Sequence, residues 1–367
     1  MKVLFIGDAS NFHITLARAL NDMGHTAVVA SNGSGWMNTD RNIDLFRPSG
    51  AIGALKYLYK VIRALPKMRG YDIVHINNPI FMNLRPAKVR MIFDYIKRNN
   101  GKIFLSALGT DSNYVKECLN CTTFRYSDFK IGNEDSPSAI ADKALIASWL
   151  APEMIEHTQY IINEVNGIVA CLYEYNETYK HIAPLKLGYA GIPIDTRAIT
   201  PNYIDKEPEK VKFFIGIQRD RSKLKGTDIM LNALRNVHQR FPDKSEICVV
   251  ENMPYDEYVR LLSQSHVILD QLYSYTPATN ALIAMAQGLI AVSGAEPEYY
   301  DFIGETENQP IINVSPLDNE EIERKLEWII LNKSKLPEMS HHSREFVVKH
   351  NDSHIIAQRH IDFWNAH

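Results

Sequence analysis

The strongest chemical signal in this chain is a cluster of cationic residues directly after an apolar segment. Residues 211–217 have the pattern of a buried strand, and a helical pattern begins after Gly226. The loop between them holds four cations: Arg219, Arg221, Lys223 and Lys225. A basic loop between a strand and a helix is how many α/β proteins hold phosphate at the carboxyl edge of a sheet. The segment predicts a phosphate site, with an ordinary solvated loop as the alternative.

The elements that would position this loop alternate along the whole chain. The predicted strands are residues 3–6, 26–30, 72–76, 102–106, 167–171, 212–217, 246–250, 267–269, 289–293 and 310–314. The predicted helices are residues 14–23, 51–66, 86–99, 153–165, 226–240, 255–264, 278–287, 318–331, 339–349 and 352–366. This alternation predicts an α/β fold of parallel sheets with helices on both faces, in two Rossmann-like doubly wound domains. The proline-containing stretch 191–201 separates a first domain, residues 1–193, from a second, residues 202–349.

Composition limits the class of protein. A length of 367 residues exceeds what one hydrophobic core normally holds, which agrees with two domains. The net charge of -3 argues against a nucleic-acid partner. The spacing of Cys118 and Cys121 lacks the second ligand pair of a metal site. The first residues have a strand pattern, and no stretch reaches the about 20 apolar residues of a membrane span, so we expect a cytoplasmic protein.

Six short motifs occur in a fixed order along the chain. They are Met23-Gly24-His25-Thr26-Ala27-Val28, Tyr71-Asp72-Ile73-Val74-His75-Ile76, Leu108-Gly109-Thr110-Asp111, Gly191-Ile192-Pro193-Ile194-Asp195-Thr196, the segment 214–226, and Asp270-Gln271 with Ala284-Met285-Ala286-Gln287-Gly288. In these motifs the chain resembles glycosyltransferases of the GT-B fold, closest to the large retaining family four (glycosyl transferases group 1) that uses nucleotide-diphosphate sugars. The resemblance implies two Rossmann-like domains facing across a cleft, with the nucleotide sugar on the second domain. It also implies that a final helix, residues 352–367, crosses back to the first domain.

The resemblance gives roles to the loop cations. Lys225 before Gly226 matches a family lysine at the donor phosphates, where negative charge builds as the sugar leaves. Ile217 stands where the family has an arginine, and Arg219 is the expected substitute, with Arg221 behind it. The family needs no metal for this step, and the chain has no Asp-x-Asp loop. We therefore expect neither a metal nor a cofactor other than the donor nucleotide sugar.

The start of the helix at 278–287 is the second expected phosphate contact. Pro277 suits an early helical position, and the backbone amides of Ala278, Thr279 and Asn280 would point at phosphate oxygens. The alternative is that Thr276 simply caps a buried helix, because capping and anion binding use the same unpaired donors.

Two departures from the family concern the donor nucleotide. The family carries two glutamates eight positions apart, and Tyr275 and Ile283 stand in those places. Isoleucine cannot accept a hydrogen bond from a ribose hydroxyl. Glu296 or Glu298 could supply the carboxylate from a neighbouring loop, and Glu298 matches a family Pro-Glu pair. A surface charge after a turn is the alternative for Glu298.

Two residues of the first domain are candidate catalytic residues. The resemblance implies that His13, in a Ser-Asn-x-His pattern, hydrogen-bonds the acceptor or the transferred sugar. Asp111 would orient a hydroxyl of the sugar or acceptor, whereas Leu108 replaces the family histidine that faces the sugar. A satisfied surface histidine is the alternative for His13.

The stretch Tyr57-Leu58-Tyr59 is a candidate acceptor-side surface. Four cations surround it: Lys56, Lys60, Arg63 and Lys67. An amphipathic surface of this kind suits a lipid-linked acceptor and peripheral contact with the inner face of a membrane. A helix with an ordinary charged face is the alternative.

These observations predict a metal-independent retaining glycosyltransferase that acts on a saccharide or lipid-linked saccharide, as in polysaccharide biosynthesis. One alternative is a relative that lost donor chemistry and acts as a binding or scaffolding protein, because Leu108, Tyr275 and Ile283 depart from the family. The other is a different enzyme of the same architecture, such as a nucleotide-sugar epimerase.

Overall fold

Strands and helices alternate along the chain. The computed structural model describes residues 1–33, 38–218 and 221–367, and for Tyr255 and Asp256 it describes the backbone only. The strands are β1 (Lys2–Ile6), β2 (Thr26–Ser31), β3 (Ile43–Asp44), β4 (Ile73–Ile76), β5 (Lys102–Ala107), β6 (Lys130–Ile131), β7 (Glu134–Asp135), β8 (Gly167–Ala170), β9 (Leu187–Tyr189), β10 (Val211–Ile217), β11 (Ser245–Glu251), β12 (Val267–Leu269), β13 (Ile290–Ser293) and β14 (Ile312–Asn313).

The helices fill the intervals between these strands. They are α1 (Phe12–Asp22), α2 (Gly50–Ala64), α3 (Pro86–Asn99), α4 (Ser112–Asn120), α5 (Pro137–Ala141), α6 (Lys143–Trp149), α7 (Pro152–Glu164), α8 (Tyr173–Lys180), α9 (Ser222–Lys225), α10 (Thr227–Arg240), α11 (Tyr255–Leu262), α12 (Thr279–Ala286), α13 (Pro297–Ile303), α14 (Asn319–Leu331), α15 (Leu336–Asn351) and α16 (Ser353–Ala366). Each predicted strand and helix has a counterpart at or near its expected position.

Residues 1–116, 144–193 and 353–367 form one compact unit. Its described strands build a seven-stranded sheet in the order β3-β2-β1-β4-β5-β8-β9, and the paired strands are parallel. β1 lies inside the sheet, and its residues from Val3 to Ile6 are completely buried. Strands covered on both faces have no solvent side, which explains their uninterrupted apolar sequence.

The last helix, α16, belongs to this first unit and packs against α1. Ile356, His360 and Trp364 follow one another at spacings of four and are at most 1% exposed. Phe363 lies over two glycines of the sheet: a Cβ on Gly167 would come within 2.6 Å of its ring, and one on Gly188 within 2.5 Å. Glycine at these two strand positions therefore leaves the space that the aromatic ring of α16 occupies.

Residues 117–143 and 194–352 form the second compact unit. Among the described residues its main sheet has five parallel strands in the order β11-β10-β12-β13-β14. Phe213, Ile215, Val267 and Leu269 are completely buried in its core. The carboxyl ends of β10, β12 and β13 lie at one edge of this sheet, because parallel strands all end on the same side.

The segment 117–143 corrects the domain boundaries expected from the sequence. The sequence pattern predicts that it belongs to a first domain of residues 1–193, whereas its contacts lie in the second unit. Its β6–β7 hairpin packs Ile131 against the core of that unit, and α5 contacts α9. The irregular stretch before the hairpin buries Phe124 and Tyr126 without any strand or helix period. Burial of these aromatic side chains therefore holds the segment to the second unit, which periodicity could not indicate.

The α/β fold class with two parallel sheets is confirmed. The strands that the sequence analysis missed, β3, β6, β7 and β9, have only two or three residues each. Alternation of polar and apolar residues cannot be recognised over so short a length.

Candidate functional site

Lys225 and Asp270 form the centre of a polar cluster at the carboxyl edge of the second unit's sheet. Asp270 directly follows β12, and Lys225 lies in the loop region that leaves β10. Lys225 Nζ lies 3.2 Å from Asp270 Oδ1, with the lysine side chain 21% exposed and the aspartate side chain fully buried. The buried carboxylate fixes where the lysine charge lies, while part of the lysine remains accessible to a ligand.

Asn280 extends this cluster to the first turn of α12. Its Nδ2 donates to Asp270 Oδ1 at 3.2 Å, and its Oδ1 accepts from the Tyr258 hydroxyl at 2.8 Å. Within the described part of the chain, Asp270 Oδ2 is buried and has no hydrogen-bond partner. A buried carboxylate oxygen of this kind is normally satisfied by a water or by a donor that binds later.

The backbone around Lys225 is also held in one conformation. The Lys225 carbonyl accepts the N–H of Leu272 at 2.8 Å. Gly226 has a φ of +69°, and a Cβ at this position would lie 2.7 Å from Leu272 Cβ. Both the left-handed conformation and the close approach require glycine, so Gly226 directs the lysine before it toward the sheet edge.

The amino terminus of α12 carries the other predicted phosphate donors. The residue at its cap position is Ala278, so Thr276 is not the cap that the alternative interpretation required. Among the described residues no side chain caps this helix, and Ala278, Thr279 and Asn280 are partly exposed. The N–H groups of a first turn without a capping side chain are available to an anion.

The other described cations of the loop, Arg221 and Lys223, contribute less to this arrangement. Arg219, the expected substitute for the family arginine, lies outside the described residues. Arg221 and Lys223 are exposed. The short helix α9 therefore presents one cation, Lys225, at the cluster and another, Lys223, to solvent.

Glu296 and Glu298 are engaged by Arg125 of the 117–143 segment. Arg125 Nη2 lies 2.5 Å from Glu296 Oε2 and 3.1 Å from Glu298 Oε1. Glu296 is only 6% exposed and also accepts from the Tyr126 hydroxyl at 2.6 Å and from Asn313 Nδ2 at 3.0 Å. Glu296 is therefore a structural anchor for the segment, whereas Glu298 keeps a side chain that is 41% exposed.

Tyr275 fills the place of a family glutamate and is covered by the same segment. Its ring stacks on Tyr126 with centroids 4.8 Å apart, and its hydroxyl accepts the N–H of Arg125 at 2.6 Å. Tyr275 is 2% exposed, and burial raises the pKa of its hydroxyl. Ile283, at the second glutamate position, is partly buried on α12. Neither residue offers an exposed carboxylate-like acceptor to a ligand.

His13 is completely buried rather than exposed at the surface of the first unit. Its Nδ1–H donates to the Gly7 carbonyl at 2.7 Å, which leaves Nε2 to accept from the Ser106 hydroxyl at 3.0 Å. Burial lowers the pKa of the ring to about 3, so the imidazole is neutral near pH 7. A sugar or acceptor finds no exposed atom of His13, because helix α1 turns the ring inward against Phe5.

Asp111 is also buried, at 1% exposure. Its Oδ1 accepts the N–H groups of Asn113 and Tyr114 at 2.8 and 2.9 Å, and its Oδ2 accepts the Tyr179 hydroxyl at 2.6 Å. Burial raises the pKa of this carboxyl. The side chain thus caps the start of α4. Both carboxylate oxygens of Asp111 accept hydrogen bonds within the protein, whereas the sequence-based prediction has this carboxylate orient a substrate hydroxyl.

The structure brings together two of the predicted side chains of the second unit. Lys225 and Asn280 meet on Asp270, and Glu298 lies in the first turn of α13, the helix that follows β13. The sequence indicates Asp270 only as part of a motif and does not indicate Arg125. An aspartate immediately after a buried strand was an available signal for Asp270. For Arg125 no local signal exists, because its partners lie about 170 residues away along the chain.

Two features are absent from the described residues. They contain no group of three or more His, Cys, Asp or Glu side chains arranged to hold a metal ion. None of their helices combines the length and apolarity needed to cross a membrane.

Comparison with known proteins identifies the fold. No protein-family model and no curated protein sequence matches the chain. Sucrose-phosphate synthase from Thermosynechococcus elongatus matches with a TM-score of 0.65 at 11% identity, covering 100% of this chain and 99% of that one. HepE from Anabaena, solved with UDP-glucose, matches with a TM-score of 0.58 at 11% identity over 100% of both chains. A glycosyltransferase from Rickettsia africae matches with a TM-score of 0.58 at 13% identity, covering 100% of this chain and 98% of that one. The chain therefore has the GT-B fold.

Replacing His360 by phenylalanine should reduce the acid sensitivity of the first unit. His360 is completely buried, its ring lies 5.5 Å from that of His75, and burial lowers its pKa to about 4. The unfolded state, with a pKa of about 6.5, binds the extra proton at intermediate pH. The neutral His360 ring therefore makes its full contribution to the free energy of unfolding at a pH above the pKa of the unfolded state. This contribution is lost as the pH falls toward the pKa of the folded state, and the loss is about 2 kcal/mol at about pH 5.

Urea denaturation of both proteins from neutral pH to about pH 5 measures this difference. Asp8, whose pKa burial raises to about 6, acts in the opposite sense but is common to both proteins. The exposed His342→Phe variant is the matched control and should keep the wild-type pH profile. Parallel profiles for the wild type and His360→Phe would contradict the assignment.

Arg125→Ala should destabilise the second unit, because it leaves the buried Glu296 carboxylate without its cation. We expect a loss of about 1–3 kcal/mol in the free energy of unfolding. Adding Glu296→Gln to this variant should recover part of the loss, since the amide carries no charge. Arg324→Ala is the matched control: its pair with Asp318 is 59% and 46% exposed, and we expect less than about 1 kcal/mol. Equal small effects of both arginine substitutions would show that Arg125 does not anchor the segment.

Proposed function

We propose that this protein is a glycosyltransferase that moves a sugar from a nucleotide-diphosphate sugar to a saccharide or lipid-linked saccharide, with retention at the anomeric carbon. The observation that carries the proposal is the placement of Lys225 beside Asp270 and the start of α12, at the carboxyl edge of a parallel sheet. Ligands of such sheets bind outside the carboxyl ends of the strands. At this sheet edge, a partly exposed ammonium and the free N–H groups of a helix's first turn would bind the anionic oxygens of a diphosphate.

The chemistry follows from where charge develops. Cleavage of the bond between the sugar and the diphosphate leaves negative charge on the departing phosphate. Lys225 and the N–H groups of Ala278, Thr279 and Asn280 would stabilise this charge more strongly in the transition state than in the bound donor. Asp270 would hold the lysine in place before the donor binds, so that little reorganisation is needed when the bond breaks. Arg219, from the same loop, would be a second cation for the leaving diphosphate.

The fold of the structural neighbours supports a nucleotide-sugar donor without choosing the reaction, because one fold hosts several activities. HepE, which shares the fold over its full length, was solved with UDP-glucose. A uridine diphosphate sugar is therefore the first donor to examine. Glu298, which is partly exposed in the first turn of α13, would be a further donor contact after β13.

A binding or scaffolding role is the second candidate, and the 117–143 segment favours it. Arg125 engages both Glu296 and Glu298, and Tyr275 is buried where the resemblance implies a carboxylate. In that case the protein would bind a saccharide without donor turnover. A thermal shift with UDP, GDP and ADP separates the two candidates, since a protein that has lost donor binding responds to none of them.

Lys225→Ala should weaken binding of UDP about ten- to a hundredfold, because one charge-assisted contact to phosphate contributes about 1.5–3 kcal/mol. Isothermal calorimetry measures the affinity, and Arg219→Ala should have a smaller effect. Lys223→Ala is the matched control, since Lys223 lies two residues away on α9 and is exposed. Unchanged affinity in the Lys225 variant, or an equal loss in the Lys223 variant, would reject the phosphate assignment.

Sugar transfer should persist in EDTA, because Lys225 and the α12 amides would neutralise the leaving diphosphate without a divalent cation. Turnover of UDP-sugar donors with and without EDTA measures this, and added Mg²⁺ or Mn²⁺ is the control. Activity that disappears in EDTA and returns with Mn²⁺ would show that a metal carries the role proposed for Lys225.

A further inference from the structure

Helix α2 of the first unit exposes a continuous apolar stripe. Ile52, Leu55, Tyr59 and Ile62 are 71%, 70%, 61% and 55% exposed. Their spacings of three, four and three place them on one face of the helix. Phe46 is 52% exposed, and its carbonyl accepts from Lys60 Nζ at 3.1 Å, so it lies beside the same helix. Soluble surfaces rarely leave large apolar residues contiguous without a partner.

The fold does not require this face, because the opposite side of α2 makes the packing contacts. Gly53, Tyr57, Val61 and Ala64 are the buried residues of the helix. Tyr57 is 2% exposed, and its hydroxyl accepts the N–H of Asn83 at 3.2 Å. Tyr57 is thus a core residue rather than part of the surface expected from the sequence. The helix has one face for the core of the unit and a second apolar face that is exposed.

Charge around the stripe is of one sign. Residues 45–71 contain no aspartate or glutamate, in a chain whose net charge is -3. The same stretch carries six cations: Arg47, Lys56, Lys60, Arg63, Lys67 and Arg69. The acidic residue just before it, Asp44, is paired with Arg41 at 2.7 Å and with Lys60 at 2.8 Å. Lys56, Arg63, Lys67 and Arg69 are exposed around the helix and its carboxyl end.

We propose that α2 docks the protein on an anionic lipid bilayer. The apolar stripe would enter the boundary between headgroups and acyl chains, and the surrounding cations would contact anionic headgroups. A nucleic acid would use the cations but leave the apolar stripe in water. A second copy of the chain would bring two stretches of like charge together, so charge complementarity selects the lipid surface. This docking does not depend on the nucleotide site, and it would give the proposed transferase access to a lipid-linked acceptor.

Sedimentation with vesicles tests this proposal. The full-length protein should bind vesicles of phosphatidylcholine mixed with phosphatidylglycerol and bind weakly to phosphatidylcholine alone. Raising the salt from about 0.1 M to about 1 M should weaken the binding, because the Debye length falls from about 10 Å to about 3 Å. The combined Ile52→Asp and Leu55→Asp variant should lower the partition coefficient at least about tenfold, and the combined Lys56→Glu and Arg63→Glu variant should do the same.

Matched controls separate a docking face from general stickiness. Leu185 and Met91 are 91% and 70% exposed in the same unit but lie outside α2. Leu185→Asp and Met91→Asp should leave vesicle binding unchanged. All four substituted α2 positions are exposed, so thermal melts should match the wild type and UDP affinity should not change.

Three results would overturn the proposal. The first is no difference between anionic and neutral vesicles, and the second is equal loss of binding in the α2 variants and the Leu185 or Met91 controls. The third is a dimer that depends on Ile52 and Leu55 in a protein without vesicle binding, which would assign the stripe to a second copy of the chain. Loss of UDP binding with intact vesicle binding would reject the proposed donor site and leave the docking surface in place.

Discussion

The buried carboxylate of Asp270 is the interaction on which the candidate donor site depends. One of its oxygens holds both Lys225, from the loop after β10, and Asn280, from the first turn of α12. A charge removed from water is tolerated when a cation and a neutral donor both compensate it. Asp270, at the end of a strand of the parallel sheet, thereby holds the Lys225 ammonium beside the amino terminus of α12.

A second buried carboxylate, Glu296, has a different consequence. Its partners Arg125 and Tyr126 come from a segment that lies far away in sequence, so the pair closes a long stretch of chain. Arg125 also reaches Glu298, and its N–H binds Tyr275. The charges that the resemblance would give to donor recognition are here used to attach residues 117–143. In the proposed transferase, donor recognition would therefore rely on cations and amides more than on carboxylates.

Much of the fold could be predicted from the sequence because its strands are buried on both faces. The segment from Val3 to Ile6 and strand β12, Val267–Leu269, are apolar throughout. Glycine or asparagine follows several of the helices between such strands. The 117–143 segment could not be placed in this way, since it owes its position to burial of Phe124 and Tyr126 and to one ion pair. Contacts between residues distant in sequence leave no periodic trace within the segment.

The same limit separates the two kinds of candidate residue. The role of Lys225 follows from its match to a family lysine that precedes a glycine, and the left-handed backbone of Gly226 gives this short pattern a local physical cause. The role of His13 follows from the Ser-Asn-x-His pattern of the resemblance, but the direction of its ring depends on Ser106 and Phe5. Burial decides between the two: the histidine is 0% exposed, whereas the lysine side chain keeps 21% of its surface. A polar group whose hydrogen bonds are all made inside the core stabilises the fold, whereas a charge that is anchored and still accessible can act on a ligand. By that criterion the carboxyl edge of the second sheet, rather than the surroundings of His13, is the place to look for the proposed chemistry.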